Sequence, residues 1–457
     1  MSGASIFSRV GTAARRFAGA EHGNIAVIFA IAAVPVLSFV GAAIDYTRAN
    51  KARTAMQATL DTVSLMLSKD LTEGLIQPSD INSKAQTYFT ALFNNKDAKA
   101  VTVSATYAAN SNIGSTIVIN GSGNVATDFL KVAGFPKLDF GTSATSAWGN
   151  VRMRVAMALD VTGSMADDGK MPALQKAAKS LIDQLSALAK NPGDIQISIV
   201  PFAKDVNMGA TFYDKPWIDW SLWEAANGTC SSGSYSKKST CENNGKTWTP
   251  ANHNTWTGCF TDRDQDFDIK NTTPTVSDSA TLFPAEEYVS GSSKYCKPGN
   301  NPYLRPIQAL TSEWATLKTL IDNLQPTGNT NQGIGLAWAW MTLGTGDPFN
   351  APAKDPNYTY KDAIILMSDG VNTQNRWYSN ASDINARQKK LCENAKAQPN
   401  NITIYAVQVD TGNDGQQTVM KNCASSSDKY FHVTDPNQTV TAFTTIGTSL
   451  SKLRVAK

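Results

Sequence analysis

The side chains best suited to bind a metal ion are two carboxylates and three hydroxyls, carried by three short segments at residues 160–164, 328–331 and 368–370. The five candidate ligands are Asp160, Thr162, Ser164, Thr330 and Asp369. All of them offer oxygen atoms, which suit Mg²⁺ or Mn²⁺ better than zinc or copper. The sequence therefore predicts an all-oxygen site for Mg²⁺ or Mn²⁺.

The first of these segments has a spacing that favours convergence on one point. Asp160, Thr162 and Ser164 alternate along a loop that follows an apolar run, so their side chains can turn the same way. Gly163 has no Cβ and lets the backbone bend closely around an ion. We expect these three residues to supply the first half of the site.

The elements around the three segments predict that all of them lie at one edge of a sheet. Apolar strands at residues 155–159 and 363–367 end where the first and third segments begin, and a helix at 334–343 follows the second. The carboxyl ends of parallel strands meet at one edge, where open α/β sheets place their sites. We therefore expect the five ligands to lie together.

Strands alternate with helices from Arg152 onwards. Further strands are predicted at residues 195–202 and 402–409, and further helices at 173–188, 314–324, 384–395 and 440–453. This alternation is typical of a mostly parallel sheet covered on both faces. The predicted fold class is α/β, a doubly wound parallel sheet over residues 151–457. A stretch at about 206–306, rich in Trp, Gly, Ser and Asn, is predicted to be an insertion.

Residues 25–44 form an uncharged apolar run. Its length matches a hydrocarbon core of about 30 Å, which favours a retained transmembrane helix. Basic residues flank it on both sides, so charge alone does not orient it. A cleaved signal peptide with Gly41-Ala42-Ala43 as its cleavage site and a buried soluble helix are the alternatives. An apolar pattern at helical spacing continues directly after the run, which favours retention.

The next part of the chain resembles a small stalk. Residues 48–95 are predicted to be helical, and residues 99–125 alternate as strands do, with Asn120-Gly121 as a turn signal. We therefore predict a small α+β stalk over residues 71–150, and no feature in it indicates chemistry.

All six cysteines follow the apolar run, and their spacing fits disulfides in an oxidising compartment better than zinc or free thiols. Sequence order cannot choose strictly among the possible pairings. Helices on either side of one strand favour Cys392–Cys423, and a polar loop between Cys230 and Cys241 favours that pair. Cys259–Cys296 then remains. Disulfides orient the chain with its N-terminus in the cytoplasm and its bulk outside.

The three polar segments resemble the metal-ion-dependent adhesion site of von Willebrand factor type A domains. That family's first motif is Asp-x-Ser-x-Ser, its second a threonine, and its third an aspartate in an Asp-Gly turn. They match Asp160/Thr162/Ser164, Thr330 and Asp369 in this sequence. Thr162 replaces the first serine; it keeps the hydroxyl but adds a methyl group. The resemblance implies a bound Mg²⁺ or Mn²⁺ and a protein partner that offers a carboxylate to it.

The N-terminus is similar to that of TadG-like proteins of Flp (tight adherence) pilus assembly. The similarity rests on residues 23–30, 41–46 and 58–63, and on Trp256-Thr257-Gly258-Cys259 and Cys423-Ala424-Ser425 further on. It implies a cytoplasmic segment 1–22, an anchor 23–70 with its transmembrane part at 24–45, and pilus-assembly partners in a bacterial cell membrane. Pilin-type cleavage is not expected, because Gly23 is followed five residues later by Ile28 rather than glutamate.

The function classes that remain are binding and structure. We predict that the chain is not an enzyme, because no nucleophile–base arrangement or known catalytic motif is present. Its net charge of +3 is too small for a nucleic-acid binder. The preferred hypothesis is metal-dependent protein binding in pilus assembly. The alternatives are a surface adhesin unrelated to pili and an envelope protein whose metal only stabilises the fold.

Overall fold

The computed structural model describes residues 23–72, 75–110, 114–148, 151–290, 293–355, 358–412 and 414–455. The chain divides into two units, the first ending at Trp148 and the second beginning at Gly149. The predicted cytoplasmic segment 1–22 lies outside the described residues.

The first unit is built on one helix, α1 (Gly23–Thr72), 50 residues long. Among the described residues it is the one helix long and apolar enough to cross a membrane, a property that a signal sequence would share. Almost all residues from 27 to 40 are exposed, and the second half buries a stripe of Met56, Leu60, Val63 and Leu67. That spacing of three to four residues is the period of a helix packed on one face.

The stripe packs on a three-stranded antiparallel sheet and a second helix. The strands are β1 (Ala98–Asn110), β2 (Gly114–Ala126) and β3 (Lys137–Trp148), in the order β1-β2-β3, and the helix is α2 (Ile81–Leu92). The long apolar helix and the small sheet of the predicted stalk are thereby confirmed. The helical prediction over residues 48–95 was too long, because a short 3₁₀ turn begins at Pro78 and separates α1 from α2.

The Asn120-Gly121 turn prediction was wrong. Both residues lie in the middle of β2, where Gly121 pairs with Val103 on one side and Thr142 on the other. A Cβ on Gly121 would lie 2.8 Å from the sulfur of Met56. The glycine serves the close packing of α1 on the sheet.

The second unit is built around strand β4 (Val151–Asp160), whose residues are almost all buried. Strand β4 lies between two parallel strands, β5 (Ile195–Phe202) and β15 (Thr359–Ser368). The parallel strands β16 (Thr403–Val409) and β17 (Tyr430–Val433) follow beyond β15. The sheet continues beyond β5 with antiparallel strands β6 (Val206–Asn207) and β10 (Cys259–Phe260), in the order β10-β6-β5-β4-β15-β16-β17. Strand β14 (Gln308–Thr311) also pairs antiparallel with β5.

Alternate residues of β4 face opposite sides of the sheet. Val155 and Met157 pack with one set of helices, while the small Ala156 and Ala158 pack with another. The first set is α3 (Lys170–Leu188), α6 (Trp314–Asp322) and α10 (Gln438–Val455), and the second is α7 (Gln332–Leu343), α8 (Ala381–Lys396) and α9 (Thr418–Cys423). The predicted α/β sheet covered by helices on both faces is confirmed.

The remaining elements are short and belong to the insertion, which also donates β6 and β10 to the main sheet. Its strands are β7 (Ile218–Asp219), β8 (Gly228–Cys230), β9 (Trp248–Pro250), β11 (Phe283–Pro284), β12 (Val289–Ser290) and β13 (Ser293–Lys294), and its helices are α4 (Ser221–Ala226) and α5 (Lys238–Asn243). Aromatic rings fill its interior; Phe260 lies 4.9 Å from Trp256 and 5.3 Å from Trp338 of α7, between ring centroids.

All six cysteines are paired in disulfides. The pairs are Cys230–Cys241, Cys259–Cys296 and Cys392–Cys423, with Cα atoms 5.8, 5.6 and 5.1 Å apart. These are the same pairs as in the sequence analysis. Two of them close loops within the insertion, where little regular secondary structure would otherwise hold the chain.

Candidate metal site

Asp160 is the last residue of β4, and its carboxylate is fully buried. One oxygen accepts a hydrogen bond from the backbone N–H of Thr162 at 2.8 Å, and the other accepts one from the hydroxyl of Ser368 at 2.5 Å. Burial raises the pKa of Asp160 to about 7, with Asp369 nearby as the second cause. Burial thus disfavours the ionised form of Asp160, which a cation close by would stabilise.

Three more of the predicted ligands are joined to one another by their oxygen atoms. The hydroxyl of Ser164 lies 3.2 Å from that of Thr162 and donates to Asp369 Oδ1 at 2.8 Å. Asp369 directly follows the end of β15, which is the parallel neighbour of β4. The first and third segments thus meet at the edge where their strands end.

Thr330 is brought to the same edge by contacts of its backbone. The N–H of Gly163 donates to the carbonyl of Gly328 at 2.9 Å, which holds the second segment against the first. The N–H of Thr373 donates to the carbonyl of Thr330 at 2.9 Å, and the N–H of Thr330 donates to the Thr373 hydroxyl at 2.8 Å. The second segment therefore lies between the other two.

A cation that the sequence analysis missed lies in this cluster. The ammonium of Lys170 is 2.7 Å from Asp369 Oδ2 and 3.0 Å from the carbonyl oxygen of Ser164, and the lysine is buried. Lys170 is the first residue of α3, where the helix dipole disfavours a positive charge. The one signal in the sequence was a lysine six residues after Ser164, just before the predicted helix at 173–188.

A network of buried amides fixes the third segment to α7. Gln332 donates to the Ser368 hydroxyl at 3.1 Å and to the Gly370 carbonyl at 2.8 Å. Gln388 of α8 donates to the Gln332 side chain at 2.9 Å, and Asn372 accepts from the Gln332 N–H at 2.8 Å. Since Ser368 donates to Asp160, this network orients a candidate ligand through its partner.

The insertion shapes the second segment from outside the sheet. The Tyr288 hydroxyl accepts from the N–H of Asn329 at 2.7 Å, and the Asn331 side chain donates to Asp262 at 2.8 Å. Gly328 has a φ of 72°, and a Cβ there would collide with Tyr288. The position therefore requires glycine both for its backbone conformation and for the contact with the insertion.

The donor set fits a small divalent cation. Two carboxylates and two hydroxyls form a connected cluster, Thr330 lies in the segment beside it, and like charges buried this close repel unless a cation lies near them. Among residues within the described ranges, no group of three or more His, Cys, Asp and Glu is placed to hold a metal, so a metal bound here would need the hydroxyls as ligands. Asp160, Thr162, Ser164, Thr330 and Asp369 are the residues that would hold Mg²⁺ or Mn²⁺.

Comparison with known proteins finds one family model that matches the N-terminal part. Residues 23–66 match the family model described as "Putative Flp pilus-assembly TadE/G-like". The N-terminal region is therefore similar to TadE/G-like proteins, and the second unit has the α/β sheet covered by helices on both faces that the resemblance to von Willebrand factor type A domains implies. No curated protein matches the chain.

Several solved structures are similar at low identity. The von Willebrand factor domain of the type V pili tip protein Mfa5 from Porphyromonas gingivalis has 11% identity and a TM-score of 0.37, over 68% of this chain and 97% of that one. The pilus adhesin SpaC from Lactobacillus rhamnosus GG has 11% identity and a TM-score of 0.35, over 79% and 35%. Proximal thread matrix protein 1 from the mussel byssus, with a zinc-occupied MIDAS motif, has 15% identity and a TM-score of 0.31, over 67% and 46%. The match thus spans less than half of the last two proteins.

The first prediction concerns the ligands. Asp160→Ala and Asp369→Ala should each abolish the rise in unfolding temperature that Mg²⁺ causes, because each removes one of the two charged oxygen donors. Thr162→Ser should keep that rise, since the hydroxyl remains, and it serves as the matched control. Thermal unfolding of the full-length chain with Mg²⁺ and with EDTA measures the effect. An undiminished Mg²⁺ response in both aspartate variants would refute the site.

The second prediction concerns pH. Because the pKa of Asp160 in the metal-free fold is about 7 and its ordinary value is 3.8, the folded state holds the proton more tightly than the unfolded state. The stability that this proton contributes is complete below about pH 4 and is lost as the pH rises through about 7. Mg²⁺ favours the ionised form, so the stabilisation by Mg²⁺ should be larger at pH 8 than at pH 5.

Unfolding temperatures with EDTA and with Mg²⁺ across this pH range test the second prediction. Asp160→Asn is the control, because it cannot ionise and should flatten the dependence in EDTA. Equal Mg²⁺-induced shifts at both ends of the range in the wild-type chain would contradict the role assigned to Asp160.

Proposed function

We propose that this chain is a membrane-anchored, extracytoplasmic component of Flp/Tad pilus assembly that binds a protein partner through a Mg²⁺ or Mn²⁺ ion. The observation that carries the proposal is the oxygen cluster of Asp160, Thr162, Ser164 and Asp369, with Thr330 in the segment beside it, in a chain with a TadE/G-like N-terminus. The pilus context is supported by the N-terminal match, and the binding chemistry by the cluster.

The residues of the cluster would contribute to metal binding in different ways. Asp160 and Asp369 supply negative charge, the hydroxyls of Thr162, Ser164 and Thr330 supply neutral oxygens, and the amide network keeps Asp160 oriented through Ser368. When bound, the metal would offer a coordination position to a carboxylate of the partner, in a charge-assisted contact that depends on the ion. A protein surface with an exposed Asp or Glu is the expected ligand.

Helix α1 supports a retained single-pass anchor. The candidate signal-peptide cleavage site, Gly41-Ala42-Ala43, lies inside the continuous helix, and Gly41 is buried beneath Phe129 of the stalk. Cleavage there would remove part of the folded unit. The three disulfides favour an oxidising compartment for the second unit, which supports an orientation with the N-terminus in the cytoplasm and the bulk of the chain in the periplasm or outside the cell.

The arrangement supports binding rather than catalysis. The two histidines within the described residues lie elsewhere: His253 contacts Glu224, and His432 contacts Asp410, each at 2.9 Å. No described histidine is therefore placed beside the Ser164 or Thr162 hydroxyl to act as a general base. The TadE/G-like family is likewise described by pilus assembly rather than by a reaction.

A second candidate function follows from Lys170. Its ammonium already neutralises Asp369, so the cluster can hold the fold together without a metal, in a structural envelope protein. The metal-binding function and the structural function predict different effects on the affinity for Mg²⁺ when the lysine charge is removed.

The third prediction separates them with Lys170→Met, which keeps the apolar stem and deletes the charge. If the site binds Mg²⁺, the variant should bind it more tightly than the wild type in calorimetric titration, because no ammonium competes for Asp369. Without metal, the variant should lose about 3–5 kcal/mol of stability, the usual cost of leaving one partner of a buried ion pair alone. An absence of heat from Mg²⁺ binding in both proteins would favour the structural candidate.

The fourth prediction tests the partner. Chemical cross-linking in intact cells should join the wild-type chain to another pilus-assembly protein in Mg²⁺, and the cross-link should disappear with EDTA or with Asp369→Ala. Asp139→Ala, an exposed aspartate in β3, is the matched control and should keep it. Circular dichroism must show that the chain remains folded with EDTA. A cross-link that survives both EDTA and Asp369→Ala would exclude metal-dependent binding.

A further inference from the structure

The loop between β2 and β3, residues 127–136, exposes three large apolar side chains. The exposed fractions are 49% for Phe129, 87% for Val132 and 61% for Phe135. Residues 130–133 form a 3₁₀ turn, so the loop is ordered around them. Exposed apolar side chains gathered in one loop indicate a surface that is covered in the functional state.

This loop is fixed to α1 by a buried carboxylate. Asp45 accepts hydrogen bonds from three consecutive backbone N–H groups, those of Asp128, Phe129 and Leu130, at 3.0, 2.9 and 2.8 Å. Arg48, one turn along the helix, donates to the Asp128 carboxylate at 2.7 Å. These hydrogen bonds fix the position of the loop along the axis of α1.

A close contact between Phe129 and Gly41 fixes the loop beside the same part of α1. A Cβ added to Gly41 would lie 2.5 Å from Cγ of the Phe129 ring, so the ring packs directly on the helix backbone. Gly41 and Asp45 are one helical turn apart and face the same way. The loop thus lies beside residues 41–48 of α1.

The exposed apolar surface of α1 ends at the part of the helix beside which the loop lies. Residues 27–44 expose large apolar side chains along their length, and Asp45 is the first charged residue after them. Phe129 packs on Gly41 within this apolar stretch, and Val132 and Phe135 are exposed in the same loop. Lys131, exposed in the same turn, is placed as interfacial lysines are, with a charge that can reach lipid headgroups.

We propose that this loop inserts its apolar side chains into the outer interface of the bilayer that α1 crosses. The proposal rests on the transmembrane role proposed for α1, and it adds a second contact of the stalk with lipid. A bilayer is favoured over a protein partner because the apolar loop is continuous with the exposed apolar surface of the helix and is fixed at its end.

The experiment uses Val132→Cys in the full-length chain, labelled with an environment-sensitive NBD maleimide and reconstituted into lipid vesicles. All native cysteines are in disulfides, so the new thiol is the only one to label. Val132 is mostly exposed, and its replacement should leave the fold intact. The probe should emit at shorter wavelength than in water, and lipids with a doxyl group near the top of the acyl chain should quench it.

Thr106→Cys is the matched control. Thr106 is exposed on β1 near the opposite end of the sheet, where Ser68 of α1 contacts Ser146 of β3. Ser68 is about 35 Å along the helix from Asp45 at about 1.5 Å per residue. A probe at Thr106 should emit as it does in water and should not be quenched by doxyl lipids.

Carbonate washing of the labelled vesicles separates the two proposals. If the chain stays in the membrane and the Val132 probe reports water, the loop proposal is wrong and the anchor stands. If the emission is shifted but doxyl lipids do not quench it, a protein surface such as a second copy covers the loop, and the proposal is equally wrong. If carbonate releases the chain, both the anchor and the loop insertion are refuted.

Discussion

Two carboxylates buried at one edge of a parallel sheet require compensation, and much of the second unit is arranged to provide it. Asp160 is the last residue of β4, and Asp369 directly follows β15, the parallel neighbour of β4. The fold itself therefore brings the two carboxylates together. Their repulsion is offset by the Thr162 N–H, the Ser368 hydroxyl and the Lys170 ammonium. These three groups come from a loop, a strand and a helix. The compensation of the buried charges therefore depends on all three elements.

The lysine gives the cluster a property that a simple ring of ligands would not have. Because Lys170 pairs with Asp369, a divalent ion would have to displace the ammonium from that carboxylate or share the carboxylate with it. Without a metal, the buried ammonium itself offsets the charge of Asp369.

Much of this architecture was predictable because the hydrophobic period of each element and the polar residues that follow a strand are local properties of the sequence. The strands before Asp160 and Asp369 appear as short apolar runs, and their polar ends follow directly. Lys170 was missed because its partner lies far away in sequence, and β17 because its strand, Tyr430–Val433, is only four residues long and partly exposed. Asn120-Gly121 misled because a glycine needed for close packing on α1 has the same local signature as one needed for a turn. The contacts of Tyr288 and Asp262 with the second segment depend on how the insertion folds back, which no local pattern encodes.

Helix α1 runs without interruption from the apolar segment into the core of the first unit. At about 1.5 Å per residue its 50 residues measure about 75 Å, and Met56, Leu60 and Val63 lock the far half into the three-stranded sheet. The apolar segment and the sheet are thus joined by one continuous helix, without a loop between them. If the apolar half spans a bilayer, a tilt imposed by the bilayer thickness is transmitted through the helix to the sheet.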